Sequence, residues 1–146
     1  MIKEFSGEFA FLSNFFPSPM LIRGKEWPTV EHLFQAMKTK SPIEREKIRL
    51  CETPGKAKRM GKKIMLRSDW FEIKESVMAW CIKLKFQSPE LRKKLLETGT
   101  TQLVEGNVWH DNFWGSCQCP KCIDKNGINM LGIILMKERE RIRNDN

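Results

Sequence analysis

The sequence predicts a mainly α fold: a single compact helical domain over residues 1–146, with minor short strands and a long aromatic loop. Three observations predict it. Helix-start signals recur, apolar residues repeat at helical spacing through the middle of the chain, and turn-rich sequence is confined to the N-terminal arm and to residues 106–128. At 146 residues, 40% hydrophobic with nine Phe and five Trp, the chain has material for one real core and is not composed like a disordered protein.

Taken in order, residues 1–27 carry Gly7, Pro17, Pro19 and Gly24 among short aromatic runs, which predicts one or two small strands. Thr29 is a candidate N-cap, so Val30 opens a helix near 30–39 whose apolar stripe is Val30, Leu33, Phe34 and Met37. Ser41-Pro42-Ile43-Glu44 combines an N-cap, proline at the first helical position and the capping-box acid, opening a helix over 42–51. Thr53-Pro54 and Ser88-Pro89 repeat the first two parts, giving helices near 54–65 and 89–97. Between them, residues 69–87 bear two stripes: Trp70, Ile73, Val77, Cys81 and Leu84, then Phe71, Met78, Ile82 and Phe86. Apolar residues on two sides predict a central helix packed between others. Leu103-Val104-Glu105 reads as a short strand, and a last helix near 129–143 ends in Lys137, Arg139, Arg141 and Arg143, favourable at its negative pole.

Lys plus Arg outnumber Asp plus Glu by 26 to 18, and the resulting +8 attracts polyanions such as nucleic acid or phosphorylated small molecules. The basic residues are dispersed, with no block of five, so a plain solvated surface also accounts for them. No run approaches the ~18–20 apolar residues of a membrane span, and no basic segment followed by an apolar core marks a secretory signal. Five Cys, three of them within six residues, suit reduced thiols or metal ligands better than a secreted disulfide framework; the expectation is a cytoplasmic protein with no membrane partner.

Two segments carry candidate chemistry. On the 30–39 helix, Glu31, Gln35 and Lys38 fall within about 60° of one another along one edge of the apolar stripe. A carboxylate, an amide and an ammonium there suit the wall of a polar pocket, and equally an ordinary solvated face. Glu31 also lies in the first turn, where the helix dipole favours its anion. His32 points away from that edge and reads as structural. The second segment, Gly106 to Gly115, sets Asn107, His110, Asp111 and Asn112 among Trp109, Phe113 and Trp114. Stacking surfaces beside hydrogen-bonding groups suit a nucleobase pocket; the alternative is that the aromatics pin the loop while Asp111 and Asn112 make turns. Cys117, Cys119 and Cys122 offer a structural zinc site with His110 as the nearest fourth ligand, or simply packed thiols. Cys51 and Cys81 read as core residues. Phosphate-binding glycine motifs and a G-x-S-x-G elbow are absent.

The order of Phe11-Leu12-Ser13-Asn14-Phe15, Trp27-Pro28-Thr29-Val30-Glu31-His32-Leu33-Phe34-Gln35-Ala36-Met37-Lys38, Arg59-Met60-Gly61, Asp69-Trp70, Trp109 through Gly115 and Asn129-Met130-Leu131-Gly132 resembles the NADAR-domain (YbiA-like) family over nearly the whole chain. That resemblance implies an N-glycosidase hydrolysing a ribose C1′–N bond. Its implied partners are ADP-ribosylated guanine, in nucleic acid or as nucleoside, with small phosphorylated ligands such as ADP-ribose. Phosphorylated early riboflavin intermediates are the alternative, and an ADP-ribose or NAD-binding module without turnover is a rival of another class. Carried over by motif, Glu31 and Asp111 are the acidic active-site residues. Ser13, Asn14, Lys38, Arg59, Trp70, Trp109, Trp114 and Asn129 are substrate-binding candidates. The Cys-x-Cys-x-x-Cys loop looks closer to the ADP-ribose branch. No cofactor is required by such chemistry.

Overall fold

The computed structural model describes residues 1–145, which form six α-helices, one 3-10 helix and four very short strands. The mainly α expectation holds. The described residues segregate into two compact units, Asn14–Lys85 and a second formed by Met1–Ser13 with Phe86 onward. No helix among the described residues is long and apolar enough to cross a membrane.

The unit Asn14–Lys85 opens with a hairpin. β1 (Met20–Ile22) pairs antiparallel with β2 (Lys25–Trp27), Met20 facing Trp27 and Ile22 facing Lys25. Arg23 and Gly24 both have positive φ, 51° and 80°, the two-residue turn whose twist matches a hairpin. α1 (Val30–Ala36) follows, then α2 (Pro42–Arg49), α3 (Pro54–Gly61) and α4 (Trp70–Lys85). The predicted caps are formed: Thr29, Ser41 and Thr53 each accept from the backbone N–H three residues on. The helices are shorter than expected at their C-terminal ends, 36, 49 and 61 against 39, 51 and 65.

α1, not α4, is the central helix. All seven of its residues are buried, and it packs against α2, α3 and α4. α4 buries one face through Trp70, Met78, Cys81, Ile82 and Lys85, while Phe71 is 73% exposed and Trp80 41%. The second stripe is buried at Met78, Ile82 and Phe86 and is left uncovered only at its first member, Phe71; Glu72, Lys74, Glu75 and Lys83 populate the rest of the helix and keep it solvated.

In the other unit, a 3-10 helix (Gly7–Leu12) stands where only irregular or strand structure was expected. α5 (Pro89–Glu97), capped by Ser88, packs on α6 (Met130–Asn144), where Arg139 donates to the Thr98 hydroxyl at 2.9 Å. Leu12, Leu95, Leu103, Leu131, Leu135 and Ile142 form the buried heart. The expected strand at 103–105 is reduced to a bridge between Ile2 and Leu103, and β3 (Gly106–Asn107) then pairs in parallel with β4 (Ser116–Cys117). Asn129 supplies what a neighbouring strand would: its amide donates to the Leu103 carbonyl at 2.8 Å and accepts from the Glu105 N–H at 2.9 Å. Gly132 lies against the same carbonyl and amide, where a Cβ would collide with both.

Candidate active site

α1 begins at Thr29, whose hydroxyl accepts from the His32 N–H at 3.1 Å and lies 2.8 Å from His32 Nδ1. His32 Nε2 is 2.9 Å from the Cys51 carbonyl, which can only accept, so this pattern assigns the ring proton to Nε2. His32 is thus a buried strut between α1 and the end of α2, as its orientation in the sequence suggested.

One residue earlier, Glu31 is 8% exposed. Its backbone N–H donates to the Asn14 carbonyl at 3.1 Å, and its Oε2 accepts from the Gln35 amide at 2.7 Å. A carboxylate this buried needs donors, and Gln35, one turn on, is held to the task by Gly61. A Cβ at Gly61 would overlap Gln35 Oε1 and stand 2.8 Å from its Cδ. The Glu31 charge faces α4: the Cys81 thiol is pushed far up by burial first and by Glu31 second. On the other side Lys38, half-buried, is pushed down by loss of water; Glu31 opposes that shift, and Lys58 and Lys62 add to it.

Two acceptors on residues bonded to Glu31, Asn14 Oδ1 and Gln35 Oε1, are buried and have no hydrogen-bond partner among the described residues. Asn14 spends its amide nitrogen on the Met78 sulfur at 3.6 Å. Buried acceptors of this kind are ordinarily satisfied, and hydroxyl donors of a bound sugar would satisfy them. Trp70 is 4% exposed and leans on Phe34, with ring centroids 5.1 Å apart and planes at 58°. Glu31, Asn14, Lys38 and Trp70 therefore belong to one unit, gathered on and around α1. Arg59 lies on α3 but is exposed; the cations that act electrostatically on Lys38 are Lys58, in the last turn of α3, and Lys62, its C-cap four residues on. Their i,i+4 spacing was a readable signal that sequence reasoning passed over.

Lys85 was also missed. It is 2% exposed at the end of α4, its ammonium 6.0 Å from the Phe16 ring centre, and burial pushes its pKa down to about 7. Nothing in the sequence marks it, because a lysine at a helix end ordinarily reaches solvent.

The remaining candidates lie in the other unit. Asp111 is half-buried, and its Oδ1 accepts from the backbone N–H groups of Phe113 at 3.1 Å and Trp114 at 2.9 Å. Asn107 cradles the same residue, accepting from the Asp111 N–H and donating to its carbonyl. The turn-making role of Asp111 is therefore real. Phe113 and Trp114 meet edge to face at 4.8 Å, whereas Trp109 is 57% exposed. Asn129 spends both ends of its amide on backbone, so the structure makes it a framework residue instead of a free ligand-binding amide. Ser13 caps the 3-10 helix, its N–H bonded to the Ala10 carbonyl. Finally, His110 Nδ1 and the sulfurs of Cys117, Cys119 and Cys122 all lie within 4.8 Å of one another, an arrangement able to hold a metal ion.

Comparison with known proteins is consistent throughout. The NADAR domain family model matches residues 2–143. The N-glycosidase YbiA of Escherichia coli K12 is 40% identical over 140 residues, covering 94% of this chain and 84% of that protein. The riboflavin biosynthesis protein VVA0006 of Vibrio vulnificus is 36% identical over 136 residues, which is 91% of this chain but 35% of the longer relative. The NMR structure of E. coli YbiA superposes with a TM-score of 0.82 at 36% identity, over 99% of this chain and 88% of that one.

Proposed function

The chain belongs to the NADAR domain family and is a hydrolase of N-glycosyl bonds, and from that premise we propose that it removes ADP-ribose from ADP-ribosylated guanine. The observation that carries the reading is the buried Glu31, held by Gln35 at 2.7 Å and bonded to two residues with unsatisfied buried acceptors, and its electrostatic coupling to a partly desolvated lysine.

Cleaving a C1′–N bond moves the bonding pair onto the base nitrogen and leaves positive charge on the ribose. A carboxylate fixed near C1′ stabilises that charge and takes a proton from the attacking water, whose oxygen forms the new bond to C1′. The departing nitrogen gains the balancing proton. Glu31 suits this task because Gln35 fixes its orientation in advance. Asn14 Oδ1 and Gln35 Oε1 are acceptors of the right kind for ribose hydroxyls. Lys38, with Lys58 and Lys62 contributing to the field, suits a phosphorylated substrate. Asp111 is the second acidic residue, implied by the family motif and fixed by its own turn.

A second reading, hydrolysis of phosphorylated riboflavin-pathway intermediates, is favoured by one observation: the V. vulnificus relative is named a riboflavin biosynthesis protein. The experiment compares kcat/KM on an ADP-ribosylated oligonucleotide, free ADP-ribosyl-guanosine and a ribosylaminopyrimidine phosphate. Preference for either of the first two supports the proposal, and preference for the third replaces it. A fall in apparent affinity for the oligonucleotide as salt rises is expected if the +8 chain uses its charge on nucleic acid.

A further inference from the structure

We propose that His110, Cys117, Cys119 and Cys122 bind one zinc ion that closes the loop carrying Asp111. Their ligand atoms lie within 4.8 Å of one another, although His110 and Cys122 are twelve residues apart. The distances have the shape of a tetrahedral site. Zinc–sulfur bonds of about 2.3 Å and zinc–nitrogen bonds of about 2.0 Å place nitrogen and sulfur about 3.5 Å apart along a tetrahedral edge. His110 Nδ1 stands 3.4 Å from Cys119 Sγ, 3.4 Å from Cys122 Sγ and 3.8 Å from Cys117 Sγ.

Hydrogen bonding does not explain that geometry. One imidazole nitrogen carries either one proton or one in-plane lone pair, so it serves one sulfur well and not three. A cation at the centre of the four atoms serves all of them. The backbone agrees, since His110 has φ 67°, an unfavourable region for a non-glycine residue that persists only when its surroundings enforce it. Cys117 and Cys122 are buried, Cys119 is half-buried, and the cluster sits on a framework in which Asn112 accepts from the Cys117 N–H.

Three thiols and a neutral imidazole are a donor set typical of zinc rather than of magnesium or calcium. On binding, each thiol loses a proton, three are released, and four protein ligands complete the shell with no position open to substrate. The site is therefore structural. It ties His110 to residues 117–122, and the residue next along the chain is Asp111. A consequence for turnover rests on the proposed function; metal binding itself does not.

The test is made on the full chain, purified under reducing conditions without added chelator. Elemental analysis should find about one zinc per chain, and exchange for cobalt(II) should give thiolate charge-transfer bands with intense tetrahedral d–d bands. Cys119→Ser and His110→Ala, both at positions that are not fully buried, should lose most of the metal yet retain the helical circular dichroism of the parent. Hydrogen exchange should then quicken in residues 107–122 and remain unchanged in Asn14–Lys85. Folded, reduced protein that takes up neither zinc nor cobalt would overturn the proposal. So would a cobalt spectrum without thiolate bands, or full metal retention by both variants. If metal binds as described but its loss leaves turnover intact, the site stands and only the assigned role of Asp111 falls.

Discussion

Gly61→Ala tests whether the orientation of Glu31 is enforced from a neighbouring helix. On propensity alone the change should help, by about 1 kcal/mol for glycine to alanine inside a helix. Packing opposes it. The new Cβ would overlap Gln35 Oε1, stand 2.8 Å from Cδ and 3.1 Å from Cβ, so swinging the end of the side chain relieves only part of the clash. Overpacking of this kind costs about 1–3 kcal/mol, and displacing the amide also breaks the 2.7 Å bond to the Glu31 carboxylate. A hydrogen bond to a charged group contributes about 1.5–3 kcal/mol. The net expectation is a loss of about 1.5–5 kcal/mol. The larger effect is on chemistry, because a misplacement of about 1 Å at a reacting group costs on the order of 10²-fold. Thermal unfolding and kcat/KM should therefore both fall, kcat/KM by roughly 10- to 100-fold. The control is Gly61→Ala combined with Gln35→Ala, which removes the obstacle: stability should recover above the sum of the single changes while activity stays low. A Gly61→Ala protein that is more stable and fully active would refute the reasoning, because it would mean that Gln35 does not need its present position.

Three further outcomes are expected. Glu31→Gln should keep its melting temperature within a few degrees, because Gln keeps the size and acceptor, while turnover falls by roughly 10²-fold or more; a folded variant with normal turnover removes Glu31 from the mechanism. Lys85→Met addresses a lysine pushed from 10.5 to about 7 by burial. The unfolded chain binds more protons than the folded one between those values, so this residue makes stability rise with pH from about 7 to 10.5 and exacts its full penalty below 7. The variant should flatten that rise and gain at most about 5 kcal/mol below pH 7, read from denaturant melts of variant and parent at each pH; an unchanged difference across the range contradicts it. Asn129→Ala removes both links to Leu103 and Glu105, and should cost about 1–3 kcal/mol with quickened amide exchange at Glu105; a neutral effect would show that the strand-like pairing is dispensable.

Most of the helical frame was legible because helix starts are local. Ser41, Thr53 and Ser88 each place a hydroxyl, a proline and the first free N–H groups within four residues, and no distant contact is needed to form that cap. Helix ends were less legible, since they depend on what the last carbonyls meet. The stripe on α1 misled in one respect. Seven residues make about two turns, too few for a period to distinguish a helix with one wet face from one enclosed by α2, α3 and α4. Glu31 and Gln35 looked like the edge of a polar face and are both buried. Phe71 failed in the opposite direction: its spacing from Met78 and Ile82 suits a second stripe, but it remains 73% exposed, with the Lys74 ammonium 5.3 Å from its ring centre. The metal-ligand cluster was half legible. Three cysteines announced themselves and His110 was the nearest fourth candidate, but the left-handed backbone that brings His110 to them is forecast by no local rule.

The burial of α1 bears directly on chemistry. A carboxylate taken out of water is costly unless the protein replaces the lost hydration. Here the replacements are fixed: the first-turn position of Glu31, the Gln35 amide, and the positive field of Lys38. Each is set by packing that folding has already completed. Gly61 confines Gln35, the Asn14 carbonyl receives the Glu31 N–H, and the His32 strut holds the helix to the end of α2. Little reorganisation is then left for the moment at which positive charge develops on a sugar, and that is the condition under which one carboxylate stabilises it most. Asn14 Oδ1 and Gln35 Oε1 belong to the same enclosure, and under the proposed function they are the fixed acceptors that ribose hydroxyls would meet.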